Sequence, residues 1–252
     1  MRFFRNFIPV SPRSCLFFIS FFCIGVLMAQ QDSADNLIRE AAIASAIAVY
    51  HKQSADQAWR FNGTEYQFPR FKIEENGHFH FKSSNLTPGF VVYDHIRYDS
   101  LLLLYDETTE QVITRDIYNL NLVQLAASRI STFNIGQDKF IRFEKTDSNA
   151  SGLQGFYQLL YEGHTTLLKK EVKQLREEVT SQGVLRFMES KISYHTLYSG
   201  RYVPIKTSRS LLNTFGSRKN DVARYMKKSK IGFKQDTENY ILTAITHYDQ
   251  IH

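Results

Sequence analysis

From Trp59 to Lys206 the chain runs in short aromatic-rich stretches separated by Asn-Gly, Pro-Gly, Glu-Gly and Ser-Gly. Such dipeptides reverse a chain tightly, and the runs between them are strand-sized. "GFVVYD", "DSLLLLYD", "EQVITRDI", "SRISTFNI", "DKFIRFEK", "GFYQLLYEG", "HTTLLKKEV", "SKISYHTLYS" and "RYVPIKT" read as strands, as do "HFHFKS" and the Asn62-Gly63 hairpin in "AWRFNGTEYQFP". No helix-length apolar pattern separates them, so crossover helices are missing and the strands must pair largely antiparallel. "NLVQLAAS" and "EVKQLREEVTSQGVLRFM" fit either state, the second as a long strand or a charged helix.

Helical spacing marks both ends. Leu37, Ile38, Ala41, Ala42, Ser45 and Val49 form the apolar side of an amphipathic helix capped by Asp32 or Ser33. After Lys206, Thr207 or Ser208 caps "SRSLLNTF", Ser217 opens "SRKNDVARYMKK" with Val222, Tyr225 and Met226 apolar, and Asp236 opens "DTENYILTAITHYDQI". The expected class is α+β: a largely antiparallel, curved sheet, a meander or half-barrel, with an N-terminal amphipathic helix and a small C-terminal helical appendage.

The leader sets the compartment. Arg2, Arg5 and Arg13 precede an apolar run from Cys15 to Met28 that closes on Ala29. That order of charged region, short apolar region and small residue is a secretory signal. Residues 1–29 are read as a signal peptide, 30–206 as the helix-plus-sheet domain and 207–252 as a basic three-helix appendage docked on the sheet. Both cysteines, Cys15 and Cys23, fall in the leader. The expected mature chain has no disulfide, thiolate ligand or cysteine nucleophile, and its core alone must hold it.

Cleavage takes the net charge from +6 to +3. From Arg201 to Lys234 there are ten Lys or Arg residues against one acid, Asp221, so this segment carries +9 in an otherwise acidic chain.

"YDHIRYDSLLLLYD" holds three Tyr-Asp pairs. The tyrosines are five and seven residues apart, and odd spacing on a straight strand sends successive side chains to opposite faces. The pairs therefore read as punctuation of a meander. The unalternating "LLLL" implies a strand covered on both faces. Together with "GFYQLLYEGHTTLLKK" and "RYVPIKTSRSLLNTFGSRKNDVARYMKKSKIGFKQDTENYI", this stretch resembles a family of uncharacterised exported proteins of Bacteroidota-type bacteria. These combine a Tyr-Asp-marked β-region with a Lys-rich helical tail. The resemblance implies export and architecture, and carries no catalytic residue, cofactor or substrate.

Catalytic motifs are wanting: no Gly-x-Ser-x-Gly elbow, no His-Glu-x-x-His helix and no phosphate loop. His78 and His80 lie two apart, on one face of the "HFHF" strand, but a third ligand is not in view, with Glu74, Glu75, His95 and His164 only distant candidates. The expectation is ordinary sheet histidines and no cofactor. The reading is an exported, non-enzymatic interaction module of the cell envelope, in the periplasm or at the periphery of the outer membrane. It would contact a protein or lipid partner through the sheet, and an anionic envelope component, not nucleic acid, through Arg218, Lys219, Arg224, Lys227 and Lys228. The alternative is an envelope hydrolase with a metal near His78 and His80.

Overall fold

The computed structural model describes residues 63–116, 120–145 and 152–251, with residues 39, 40, 42, 43, 45 and 46 as helix. The expected signal peptide, Asn62 and the rest of the N-terminal helix lie outside the described residues. The chain divides into two compact units, Met1–Trp59 and Arg60–His252, and the sheet and the C-terminal helices belong to the second.

Its eleven described strands form one open antiparallel sheet. They are β1 (Thr64–Glu65), β2 (Thr87–Tyr93), β3 (Ile96–Asp106), β4 (Gln111–Arg115), β5 (Leu122–Gln124), β6 (Ile130–Ile135), β7 (Asp138–Phe143), β8 (Gly155–Glu162), β9 (Thr166–Thr180), β10 (Gly183–Tyr198) and β11 (Arg201–Ile205). The order is β1-β5-β4-β3-β2-β6-β7-β8-β9-β10-β11. The chain meanders from β2 to β5, returns through a 3-10 turn at Ala127–Arg129, and lays β6 on the free side of β2. A second meander then runs out to β11. Three helices follow, α1 (Ser208–Asn213), α2 (Lys219–Ser229) and α3 (Thr237–Ile251). No helix among the described residues is long and apolar enough to cross a membrane.

Strand register explains the core. One transverse row runs Tyr98, Val91, Phe133, Phe140, Gln158, Lys169, Tyr194 and Ile205, each opposite the next. Paired residues share a face, so the stacked rings of Phe133 and Phe140, 4.7 Å apart, lie on the same side as Tyr194 and Ile205. Leu167, Tyr194 and Ile205 form one apolar cluster with Leu211 of α1, Val222 and Met226 of α2, and Ile241, Ala244 and Ile245 of α3. Lys169 reinforces it with an ion pair to Glu238 at 2.9 Å, and Tyr194 Oη donates to the same carboxylate. The other face carries smaller clusters, one of Leu153, Tyr157 and Leu168 and one of Tyr66, Leu104 and Ile113.

The Tyr-Asp stretch departs from the straight-strand expectation. Asp94 and His95 form the two-residue turn between β2 and β3, both left-handed at φ 49° and 65°. Ser100, at φ 58°, is the extra residue of a bulge between the Gly89–Leu101 and Val91–Tyr98 pairs. One extra residue reverses the alternation, so Tyr93, Tyr98 and Tyr105 share a face. "LLLL" is also covered less than expected: Leu101, Leu103 and Leu104 are buried, but Leu102 is 43% exposed.

The ambiguous segment is strand. β9 and β10 pair residue for residue from Thr180–Gly183 to Leu167–Thr196, around a Ser181-Gln182 turn. Cross-strand pairs of Arg186 with Glu177 and Arg176 with Glu189 hold it. β8 pairs with β9 only as far as Lys169, and β11 meets β10 only from Tyr194. Residues 170–193 are therefore a ribbon with no third strand beside it among the described residues. "NLVQLAAS" resolves into β5 and the 3-10 turn. "HFHF" is not a strand: it is irregular apart from a single bridge between His80 and Asp106.

Candidate functional site

Helix α2 is placed by two side chains. Val222 and Met226, one turn apart, are buried in the cluster with α3. With that stripe inward, Arg224, Lys227 and Lys228 fall on the opposite, exposed side. Tyr225, expected in the apolar set, is exposed and stacks on His247 with centroids 3.7 Å apart. A 3-10 turn, Gly216–Arg218, precedes α2, so Ser217 does not open the helix.

The five basic residues separate into two groups. Arg218 and Lys219 stand at the N-terminal end. Arg218 Nη1 lies 3.8 Å from Asp221, and Lys219 donates to Asn213 Oδ1 at 2.7 Å. Arg224 reaches the same Asp221 at 3.6 Å. Lys227 and Lys228, in the last turn, have no acidic partner among the described residues. There the carbonyl end of the helix dipole favours cations.

A second group is one that composition did not reveal. His80, Asp106, Glu107 and Lys173 are buried where the 66–84 segment and the end of β3 meet the ribbon. Tyr66 Oη donates to Asp106 Oδ2 at 3.0 Å and lies 2.8 Å from His80 Nε2. The phenol has one proton and gives it to Asp106, so His80 Nε2–H donates to the phenol oxygen. His80 Nδ1 then accepts from Ser84 Oγ at 3.0 Å. Asp106 Oδ1 takes the N–H groups of Thr108 and Thr109, closing the β3–β4 turn. Lys173 Nζ donates to the His80 carbonyl and pairs with Glu107 Oε2 at 3.1 Å.

Burial dominates the titration of this cluster. It pushes the Glu107 carboxyl up to about 7 against the opposing pull of Lys173. It holds the His80 imidazole down at about 4, with the Asp106 carboxylate pulling the other way. Desolvation and then Asp106 raise the Tyr66 phenol. At neutral pH an imidazole with that affinity is a weak proton acceptor, and both its ring nitrogens are engaged. The arrangement therefore serves to tie three segments together. His78 and His80 face each other with rings 14° from parallel and centroids 6.5 Å apart. No group of three or more His, Cys, Asp or Glu with metal-binding geometry occurs among the described residues.

The sequence signals for this cluster were weak. "HFHF" pointed to His80, but Tyr66, Asp106 and Lys173 lie 14, 26 and 93 residues from it and share no motif. No protein-family model, no curated protein and no solved structure matches the chain.

Proposed function

We propose that the protein is an exported, non-enzymatic interaction module of the cell envelope. It holds an anionic envelope component against the basic face of α2 and a protein or lipid partner against a curved, half-barrel-like sheet. The observation that carries this reading is the outward pair Lys227–Lys228, without an acidic partner among the described residues, on a helix whose rotation is set by buried Val222 and Met226. Each cation near an anionic surface contributes about 1 kcal/mol before screening. Arg224, Lys227 and Lys228 together give about 3 kcal/mol at low salt. That attraction fades once the Debye length falls below about 8 Å.

The test is cosedimentation with vesicles containing phosphatidylglycerol. Lys227→Glu with Lys228→Glu is expected to abolish low-salt association and to lower stability by no more than about 2 kcal/mol, the cost of two acids at the C-terminal end of α2. Equal association of both proteins at low and high salt sinks the reading. Export itself predicts a mature N-terminus at Gln30, after Ala29, and mass spectrometry of the exported form checks it.

A further inference from the structure

Arg218 stands apart from the outward row of α2 and lines a cleft of about 590 Å³. The loop with His164 and Thr165, the end of β10 at Leu197 and Tyr198, the joint between α1 and α2, and Tyr248 of α3 form its walls. The size is that of a small-ligand site, and two chemistries meet in it. Leu197, Phe215 and Tyr248 make an apolar wall, with Phe215 stacked on Tyr248 at 4.7 Å between centroids. The lining also includes Arg218, half-exposed and only loosely paired with Asp221 at 3.8 Å, and Ser217. Asp249, beside Tyr248, is engaged by Thr165 of the same cleft, whose N–H and hydroxyl both donate to it. Arg218 occupies the N-cap position of α2 without capping it through its side chain, so the positive end of that helix adds to the guanidinium.

We propose that this cleft binds a hexose phosphomonoester, with the phosphate on Arg218 and Ser217 and the sugar ring against the tyrosine-lined wall. A guanidinium fork matches phosphate oxygens, and a tyrosine ring offers a sugar both an apolar face and a polar edge. A neutral sugar leaves the cation unused, and inorganic phosphate leaves the wall unused. The inference deepens the proposed function: the cleft recognises the headgroup, and the outward lysines of α2 supply unspecific attraction to the surface that bears it.

Calorimetric titration of the full chain with glucosamine 1-phosphate, glucosamine and inorganic phosphate separates these contributions. Saturable binding is expected for the first, with the other two at least tenfold weaker. Arg218→Gln, and Ser217→Trp, which adds bulk to the cleft lining, are each expected to weaken glucosamine 1-phosphate at least tenfold. Lys227→Glu with Lys228→Glu should change it less than twofold. A vesicle arm distinguishes a membrane headgroup from a free sugar phosphate. With a lipid-borne headgroup, vesicles displaying a phosphorylated glucosamine lipid bind more than phosphatidylglycerol vesicles of equal charge, and Arg218→Gln removes the difference. Equal binding to the two vesicles with intact soluble binding assigns the site to a free sugar phosphate. No saturable binding of glucosamine 1-phosphate, or equal binding by wild type and Arg218→Gln, overturns the proposal while leaving the lysine face standing. Unchanged phosphatidylglycerol association in the lysine-reversed protein removes the parent reading instead.

Discussion

Replacing Glu107 by Gln should tilt the pH dependence of stability without touching an exposed residue. The Glu107 carboxyl titrates at about 7 in the fold against an ordinary value of 4.5. Between those values the folded chain keeps a proton that the unfolded chain has lost, so stability falls as pH rises through the window. The slope is at most about 1.4 kcal/mol per pH unit. His80 runs the other way: its imidazole is held at about 4 against 6.5. Between those values the unfolded chain holds a proton that the folded chain refuses, and stability rises with pH at a similar slope. Over pH 4.5–6.5 the two slopes oppose each other in the wild type. Neither residue is among the groups that shift the other, so each slope is removable alone. Glu107→Gln should make stability rise across that window by about 3 kcal/mol more than in the wild type, and His80→Gln should make it fall relative to the wild type by a comparable amount. Urea unfolding followed by circular dichroism at pH 4.5, 5.5 and 6.5 supplies the free energies. A Glu107→Gln profile parallel to the wild type within about 0.5 kcal/mol would refute the argument that burial keeps this carboxyl protonated.

Three further outcomes test the packing. A Cβ at Gly89 would lie 2.0 Å from the Asn134 carbonyl oxygen, where β2 runs between β3 and β6, so Gly89→Ala should cost about 3 kcal/mol in urea unfolding; a cost below about 1 kcal/mol would mean that β6 yields freely. Thr207 accepts from Ser210 N at 3.1 Å in a reciprocal capping box, so Thr207→Ala should lower stability by about 1 kcal/mol, and no change would show the cap to be dispensable. Met226→Ala in the buried cluster should cost about 2–5 kcal/mol, and Tyr225→Ala, which loses only an exposed stack on His247, less than about 1.5 kcal/mol. The reverse order would mean that α2 is rotated about its axis.

What local chemistry dictates was legible in the chain. Turn dipeptides and strand-length aromatic runs implied an antiparallel sheet because short connections leave strands no other way to pair. Thr207, Asp236 and the Val222–Met226 spacing placed the C-terminal helices, since caps and a 3.6-residue period act within a few residues. The +9 segment likewise pointed to a basic face before any helix was positioned. Long-range pairing decided the rest. Ser100 is an ordinary strand residue by type, and only the mismatch of β3 against Gly89 and Val91 makes it a bulge that brings three tyrosines to one face. The return of the chain at Ala127–Arg129, which sets β6 beside β2, has no local signature. Asp221, two residues from the nearest lysine of its helix, became the shared partner of Arg218 and Arg224 only once one helix turn had brought them together. His80 reads as an ordinary sheet histidine in "HFHF", with a metal pair as the alternative, yet its environment is made by Tyr66, Asp106 and Lys173. A side chain's proton affinity and partners depend on which distant groups exclude water from it, and tertiary structure alone assembles those.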